Sequence, residues 1–286
     1  MSDLAVIIPH YQDQSRLERC LSALAPQLGP GVEAVVVDNA SPDPVDDIVA
    51  ACPGMRLVVE SEKGAAPARN RGVAETTAPI IAFLDCDCVP APNWVEAIRS
   101  VVQRADVVGG VVEIFDETPG PRSGAEAFEA VFAFDNRSYV EKRGFSVSAN
   151  LITRRDVFEI VGRFRTGLSE DLDWCHRATA AGFSLTYADD VQVQHPTRSD
   201  WTALRRKWLR LTYEGWGLKG RSLGARAAWA VRALAMIPSI LIHTPKVLRH
   251  PKLDTHDKVL ALATLARLRL LRANWMLRQA VGLEIR

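Results

Sequence analysis

The chain has 286 residues, of which 48% are hydrophobic and 24% charged, and its formal net charge is +1. This composition excludes a disordered chain, and five scattered cysteines argue against a disulfide-stabilised scaffold and favour a reduced, cytosolic protein. The N-terminus has no basic region ahead of an apolar one, so we expect no signal peptide.

The first part of the chain alternates strand-like and helix-like patterns. Strands are predicted over residues 4–9, 33–41, 55–61, 80–88 and 105–115, and helices over 15–27, 64–76 and 92–104. This alternation predicts βα units and a mostly parallel sheet, in which ligands bind beyond the carboxyl ends of the strands. We therefore expect one edge of the sheet to carry the polar residues that end three strands, His10–Tyr11, Asp38–Asn39 and Asp85–Asp87.

The apolar run IIAFL ends at two acids, Asp85 and Asp87. On an extended strand these side chains would share one face, with Cys86 and Cys88 on the other. Two neighbouring carboxylates repel each other unless a cation intervenes, and Mg²⁺ or Mn²⁺ takes carboxylate and phosphate oxygens. The pattern fits solvated acids, a D-x-D-x-V phosphatase with Asp85 as nucleophile, or a nucleotide-sugar transferase.

Six segments in order narrow these alternatives: VIIPHYQD (6–13), VVVDNASPD (35–43), GAAPARNRG (64–72), FLDCDC (83–88), SANLITRRDVFEIVGRF (148–164) and SEDLDWCHRATAAGFSLTYADDVQVQH (169–195). The series resembles the family 2 glycosyltransferases of GT-A fold, over roughly residues 4–197. It implies an α/β, Rossmann-like fold. It also implies inverting transfer of a sugar, with a UDP-sugar as expected donor, to a hydroxyl of a lipid-linked saccharide or cell-surface glycan precursor.

The resemblance places donor binding on Pro9, Tyr11, Asp38, Arg69, Asn70 and Asp85. It implies that Asp38 reads the nucleotide base and that Asp87 binds Mg²⁺ or Mn²⁺, with His195 as a further metal or diphosphate ligand. Two alternatives stay open, because Asp38 also fits an Asx turn and His195 also fits a partly exposed strand end.

The second acidic cluster is implied to act on the acceptor. Asp171 would be the general base, with Glu170 as the fallback. The remaining acceptor-side residues are Asn150, Asp173 and Arg177, the last of which would brace the acidic segment. An acidic first turn of a helix explains the same pattern without catalysis. His10 and Gln12 depart from the family's usual residues, which leaves the sugar open.

The predicted domains are 1–197, with a nucleotide-sugar-binding half (1–115) and an acceptor-binding half (116–197), and a helical extension, 198–286. The extension carries 18 basic and 5 acidic residues, whereas residues 1–197 carry 17 and 29. Five of the seven tryptophans also lie in the extension. This composition divides an acidic body from a basic, tryptophan-rich tail.

The extension is predicted to be helical over 201–211, 230–247 and 257–279. Its first helix puts Trp201, Leu204, Trp208 and Leu211 on one face among basic residues, which is typical of a helix on an anionic membrane surface. Residues 230–247 are too interrupted to span a bilayer. We expect a cytoplasmic protein, peripheral on the inner face of the plasma membrane.

Other functions of the chain stay open. The extension's helices could simply cap the catalytic body. A nucleotide-sugar-binding or membrane-scaffolding protein without turnover is the alternative outside enzymes. We expect no nucleic-acid partner, because the sequence carries no recognised RNA or DNA motif.

Overall fold

The computed structural model describes residues 2–220 and 222–285. The chain forms two compact units, which we call unit 1 (Met1–Glu113, Asp135–Thr166 and Glu170–His195) and unit 2 (Ile114–Phe134, Gly167–Ser169 and Pro196–Arg286). The end of unit 1 lies close to the predicted boundary at residue 197. The structure, however, groups Ile114–Phe134 with the helical tail, whereas the sequence analysis assigned this segment, from residue 116 onwards, to the acceptor-binding half.

Eight strands form one mixed sheet in the order β3-β2-β1-β4-β7-β6-β8-β5. The strands are β1 (Leu4–His10), β2 (Val32–Asp38), β3 (Met55–Val59), β4 (Ile80–Leu84), β5 (Val89–Pro90), β6 (Val107–Phe115), β7 (Asn150–Arg154) and β8 (Leu185–Pro196). β1 pairs in parallel with β2 and β4, and β2 with β3, whereas β7 runs antiparallel to β4 and β6. The α/β fold class is confirmed, with its parallel half formed by the first four strands.

The central parallel strands are covered on both faces, which explains why they read as continuous apolar runs. Leu4–Ile8 of β1 and Val35–Val37 of β2 are fully buried. The helix over Ala65–Ala74 packs closely on these strands through Gly72, where an added Cβ would clash with the Cγ2 atom of Ile7. A glycine at this position therefore lets the helix approach the sheet.

Helices flank the sheet in unit 1 and make up most of unit 2. Those of unit 1 are α1 (Gln14–Leu24), α2 (Asp46–Ala50), α3 (Ala65–Ala74), α4 (Trp94–Val101), α6 (Asn136–Arg143), α7 (Arg155–Val161) and α8 (Glu170–Ala180). Those of unit 2 are α5 (Gly124–Phe132), α9 (Trp201–Gly217), α10 (Leu223–Ala235), α11 (Ser239–Leu248) and α12 (Thr255–Ala280).

An aromatic cluster anchors α7 and α8 to the sheet in unit 1. Phe83 of β4 meets Phe164 edge-on at 5.1 Å between ring centroids, and Phe158 stacks on Trp174 at 5.6 Å. Such pairs add about 0.5–1.5 kcal/mol each beyond the area that they bury. The cluster fixes the start of α8, where the predicted acidic residues lie.

Unit 2 is built around α12, which packs against α5, α9, α10 and α11. Residues of α5, α9, α11 and α12 share one apolar core, and Trp229, Ala233, Met276 and Ala280 form a second. In the described residues, no single helix has the length and apolarity needed to cross a membrane. α10 and α11 together, with a bend of 46° between them, have the length and composition that a broken membrane span would need.

Candidate functional site

A buried histidine–aspartate pair joins the last residues of β1 and β2, from which two loops start. The Nδ1 atom of His10 lies 2.8 Å from Oδ1 of Asp38, and the backbone N–H of Asp13 donates to Nε2 of His10 over 3.1 Å. Because Nε2 accepts that bond, Nδ1 carries the proton and donates it to Asp38. The histidine that departs from the family pattern therefore orients the predicted base-reading aspartate.

Asp38 is also held by Ser41, whose backbone N–H and hydroxyl donate to it over 2.9 and 2.6 Å. Burial opposes ionisation of Asp38, but the hydrogen bonds from Ser41 and His10 outweigh it and lower the pKa of this carboxyl. The backbone bond to Asp38 comes from three residues on, whereas an Asx turn accepts from two residues on, so the loop after β2 is a related turn closed by the aspartate side chain.

Both loops contain a non-glycine residue in the left-handed region, Gln12 with φ 51° and Ala40 with φ 53°. The two loops are tied together where the backbone N–H of Gln12 donates to the Ser41 hydroxyl over 3.0 Å. Left-handed conformations of such residues persist only where the surroundings impose them, and they concentrate at binding sites. The left-handed conformations therefore favour a binding site at the ends of β1 and β2.

The acids after β4 lie in a turn, which corrects the prediction of an extended strand. β4 ends at Leu84, and the backbone N–H of Cys88 donates to the carbonyl of Asp85 over 3.0 Å, closing the turn. The alternation argument for a shared face therefore does not apply. Instead, each acid has its own basic partner: Asp85 binds Arg69, and Asp87 binds His195.

Arg69 joins the end of β4 to the start of α8. Its Nη2 atom donates to Oδ1 of Asp85 over 2.6 Å, and its Nη1 atom donates to Oε1 of Glu170 over 2.9 Å. Burial alone would lower the pKa of Arg69, but the charges of Asp85 and Glu170 raise it further above its ordinary value. Arg69 is thus a permanent cation, 4% exposed, between two predicted site acids.

Asp87, Cys88 and His195 form a group whose ligand atoms lie within 4.8 Å of one another, close enough to hold a metal ion. The Nε2 atom of His195 is 3.2 Å from Oδ2 of Asp87. Burial, with the charges of Asp87 and Asp85, raises the pKa of the Cys88 thiol, and Mg²⁺ and Mn²⁺ favour oxygen ligands over sulfur. The structure thus brings together the two predicted metal ligands, Asp87 and His195.

The first turn of α8 carries Glu170, Asp171 and Asp173. Asp171 accepts a 2.8 Å hydrogen bond from the backbone N–H of Leu172. Arg177 donates to Asp173 over 2.9 Å and to the carbonyl of Arg163 over 2.8 Å, which is the bracing arrangement expected for it. Glu170 is held by Arg69, and Asp171 follows it in the same turn, so both predicted base candidates lie at the start of α8.

The side-chain amides of two predicted site asparagines form hydrogen bonds with other residues of the chain. Asn70 exchanges two hydrogen bonds with the backbone of Phe164, at 2.9 and 3.0 Å. Asn150 is fully buried, donates to the carbonyls of Val111 and Val191 and accepts from the indole of Trp94. Its burial argues against contact with an acceptor.

The two remaining donor-side residues lie at the end of β1. Pro9 is within the strand and partly buried, and Tyr11 follows it with 48% of its surface exposed. An exposed aromatic ring beside the Asp38 loop can stack on a planar ligand. The sequence missed the His10–Asp38 pair and the ion pairs of Arg69, because both join residues far apart in the chain.

Comparison with known proteins adds an independent observation. A family model described as Glycosyl transferase family 2 matches residues 5–162. The chain is 35% identical over 216 residues to Glycosyltransferase AglE of Haloferax volcanii, a match that covers 72% of this chain and 70% of that protein. It is 32% identical over 223 residues to the pre-mycofactocin glycosyltransferase of Mycobacterium tuberculosis, covering 70% of this chain and 45% of that relative.

Two solved structures resemble the fold. One is the mannosyltransferase PcManGT of Pyrobaculum calidifontis in complex with GDP-Man and Mn²⁺, with a TM-score of 0.53, 20% identity, and coverage of 99% of this chain and 76% of that one. The other is S. aureus TarS 1–349 in complex with UDP-GlcNAc, with a TM-score of 0.56, 15% identity, and coverage of 98% and 82%. At these identities the likeness concerns the fold.

Proposed function

Because the chain belongs to glycosyl transferase family 2, we propose that it transfers a sugar from a nucleoside-diphosphate donor to a hydroxyl acceptor with inversion. The observation that carries the proposal is the Arg69 bridge, which holds the acid at the end of β4 against the first turn of α8. The bridge would hold the predicted donor-binding acid, Asp85, beside the turn that carries the predicted base, Asp171. The family assignment also sets the phosphatase alternative aside.

The donor would bind along the ends of β1, β2 and β4. Asp38, with its carboxylate fixed by His10 and Ser41, would accept hydrogen bonds from the base, and Tyr11 would pack beside it. The two structures of similar fold contain GDP-Man and UDP-GlcNAc, so both nucleotide classes are candidates. We propose a UDP-sugar as the first donor to test and a GDP-sugar as the second.

Asp87 and His195 would hold a divalent cation, Mn²⁺ or Mg²⁺. A carboxylate oxygen and an imidazole nitrogen 3.2 Å apart suit Mn²⁺, and one of the proteins of similar fold was solved with that ion. The side chain of Asp87 is 23% exposed, so a ligand can reach it. When bound, such an ion neutralises charge that develops on a departing diphosphate.

Asp171 would act as the general base. It takes the proton from the acceptor hydroxyl as that oxygen forms a bond to the anomeric carbon. The bond from that carbon to the diphosphate oxygen breaks on the opposite face, and its electron pair leaves with the nucleoside diphosphate. The sugar is thereby transferred in one displacement, with its configuration inverted.

Donor turnover by the 286-residue chain tests this proposal without knowledge of the acceptor. UDP- and GDP-sugars are incubated with Mn²⁺ or Mg²⁺, released nucleoside diphosphate is measured, and binding is followed by the rise in melting temperature. We expect Asp171→Asn to lower turnover by about 10²–10⁴-fold and to keep donor binding. The matched control is Asp190→Asn, which changes an exposed aspartate paired with Arg104.

The results separate the roles of the residues. Asp87→Asn and His195→Gln are each expected to raise the Mn²⁺ concentration that gives half-maximal turnover, whereas Asp190→Asn leaves it unchanged. Full turnover by Asp171→Asn would contradict the base assignment. Donor binding by the wild-type protein, without release or transfer of sugar, would favour the binding protein over the enzyme.

We also propose that unit 2 docks on an anionic membrane surface on the cytoplasmic side. α10 and α11 expose large apolar side chains over most of their length: Val231 (67%), Leu234 (56%), Leu241 (77%), Ile242 (71%) and Leu248 (51%). Exposed basic residues, Lys246 and Arg249, lie within and directly after α11. Apolar side chains that enter the acyl boundary beside cations that meet anionic headgroups are typical of interfacial helices.

Vesicle flotation of the full chain tests this docking. We expect flotation with phosphatidylcholine vesicles containing phosphatidylglycerol, and less with phosphatidylcholine alone. Leu241→Asp/Ile242→Asp should abolish it, whereas the control Val59→Asp/Ile160→Asp, at 59% and 69% exposed apolar sites of unit 1, should not. Dimerisation through this face without vesicle binding would overturn the proposal.

A further inference from the structure

Three arginines of unit 2 lie near enough for their charges to interact, and no carboxylate in the described residues pairs with them. They are Arg232 of α10 and Arg269 and Arg272 of α12. Within residues 2–220 and 222–285, none of the three has a hydrogen bond or ion pair to an acidic side chain. Arg269 donates to the sulfur of Met236 at 3.4 Å, and the other two lie over tryptophan rings.

Two of these guanidinium groups are partly withdrawn from water. The Nε atoms of Arg269 and Arg272 are buried without a hydrogen-bond partner. The guanidinium carbon of Arg272 lies 4.3 Å from the ring centroid of Trp208, and that of Arg232 lies 5.5 Å from the ring of Trp229. Stacking uses the face of a guanidinium and leaves the N–H groups at its edge able to donate.

Other partly buried cations of unit 2 differ from these arginines because they form ion pairs with carboxylates. Lys207 donates to Glu129 over 2.6 Å, with Arg198 at 3.6 Å from the same carboxylate, and Arg122 binds Asp257 over 2.9 Å. A buried charge normally has such a partner, because an unpaired one loses its hydration without compensation. The three-arginine cluster departs from this pattern.

The three positive charges of the cluster also repel one another. Burial lowers the pKa of Arg272 to about 9, and the nearby charges of Arg269 and Arg232 contribute to the lowering. The group nevertheless remains protonated at neutral pH. An anion placed among the three would supply the countercharge that the described part of the chain lacks.

We propose that Arg232, Arg269 and Arg272 bind a phosphate or diphosphate group. Their N–H edges match phosphate oxygens in a bidentate manner, and Arg232 is exposed, so the site is open to solvent. The same phosphate chemistry could belong to a lipid headgroup or to a soluble phosphate. The lipid source rests on the proposed membrane docking of unit 2, whereas the site itself depends neither on docking nor on sugar transfer.

Isothermal titration of the full chain with inorganic pyrophosphate tests the site. EDTA is present throughout, so that no divalent ion supports diphosphate binding in unit 1. We expect Arg269→Gln/Arg272→Gln to weaken pyrophosphate binding by about tenfold or more. The matched control, Arg206→Gln/Arg210→Gln, removes two charges from exposed positions of α9 and should leave binding within about twofold.

A further variant guards against a folding defect. Arg232→Gln alters an exposed side chain, so it should keep the wild-type melting temperature and still weaken pyrophosphate binding. Equal losses in the cluster and control variants, or no pyrophosphate binding by the wild-type chain, would overturn the site. Donor turnover, measured in parallel with Mn²⁺, should be unchanged in the cluster variants, which distinguishes failure of the site from failure of the enzyme assignment.

Vesicles then identify the source of the phosphate. Flotation is compared between phosphatidylcholine vesicles that carry phosphatidylglycerol and vesicles that carry a polyprenyl phosphate at equal charge. Stronger binding to the second, displaced by pyrophosphate and lost in Arg269→Gln/Arg272→Gln, supports a lipid phosphate. Pyrophosphate binding without this preference supports a soluble phosphate at the same arginines.

Discussion

Replacement of Arg69 by methionine tests how the two acidic segments are held together. Arg69→Met keeps much of the side chain's volume and removes its charge, leaving Asp85 and Glu170 without their shared cation. Breaking a buried ion pair in this way costs about 3–5 kcal/mol. The side chains of Asp85 and Glu170 are 29% and 16% exposed, so partial hydration places the expected cost at the lower end of that range.

The effect should be visible as thermal or urea unfolding at neutral pH. A loss of about 3 kcal/mol corresponds to roughly 6–12 °C in melting temperature for a unit of this size. The matched control is Arg71→Met on the same helix, whose 2.7 Å pair with Glu75 involves a side chain that is 45% exposed. Such a pair on a helix surface contributes only about 0.3–0.5 kcal/mol.

A second substitution makes the test sharper. In the wild-type chain, Asp85→Asn removes a favourable contact with Arg69 and should lower stability. In the Arg69→Met background it removes one of two uncompensated carboxylates and should raise stability. The reasoning would be refuted if Arg69→Met cost no more than Arg71→Met, or if Asp85→Asn had the same sign in both backgrounds.

Two further outcomes follow from the geometry. Ser41→Ala removes a hydroxyl donor to Asp38, so it should cost about 1.5–2 kcal/mol at pH 7. The folded-state pKa of Asp38 is below its ordinary 3.8, so the difference in melting temperature between this variant and the wild type should shrink as the pH falls below 3.8. A difference that stayed constant with pH would contradict the stabilisation of ionised Asp38 by Ser41. Gly72→Ala should lower the free energy of unfolding in urea by about 1–3 kcal/mol, because the new Cβ clashes with Ile7. The control Gly29→Ala, at which an added Cβ has nothing within 4 Å, should leave this free energy nearly unchanged. Equal losses in the two variants would exclude the clash as the cause.

The sequence was sufficient to predict the elements whose signal is local. The apolar runs of β1, β2 and β4 and the periodicity of α1 and α12 indicated those elements, because burial on both faces or on one face leaves a regular pattern. The polar residues at strand ends were likewise predictable, since parallel strands deliver them to one edge. The order of the six motifs indicated the family resemblance, which in turn implied the roles of the site residues.

The side-chain pairs of the site were missed because each joins residues far apart in the chain. The partner of Arg69 in α8 lies 101 residues away, and the partner of His10 lies 28 residues away, so no local pattern reveals either pair. α5 was missed for a different reason, since Ser123 and Glu126 form a capping box that is visible in the sequence as S-x-x-E. The turn at Asp85–Cys88 was mistaken for strand because the apolar run continues directly into it.

The discontinuous make-up of unit 2 has a consequence for biosynthesis and for protein engineering. α5 buries Ala125, Phe128 and Val131 in the core that α12 completes, yet about 120 residues separate the two helices. During synthesis, the apolar face of α5 therefore stays exposed until α12 has left the ribosome. We expect chaperones to bind this exposed face in the interval. For the same reason, a single cut near residue 197 would release two fragments with bare apolar faces, and an insoluble product from such a truncation would say nothing about catalysis.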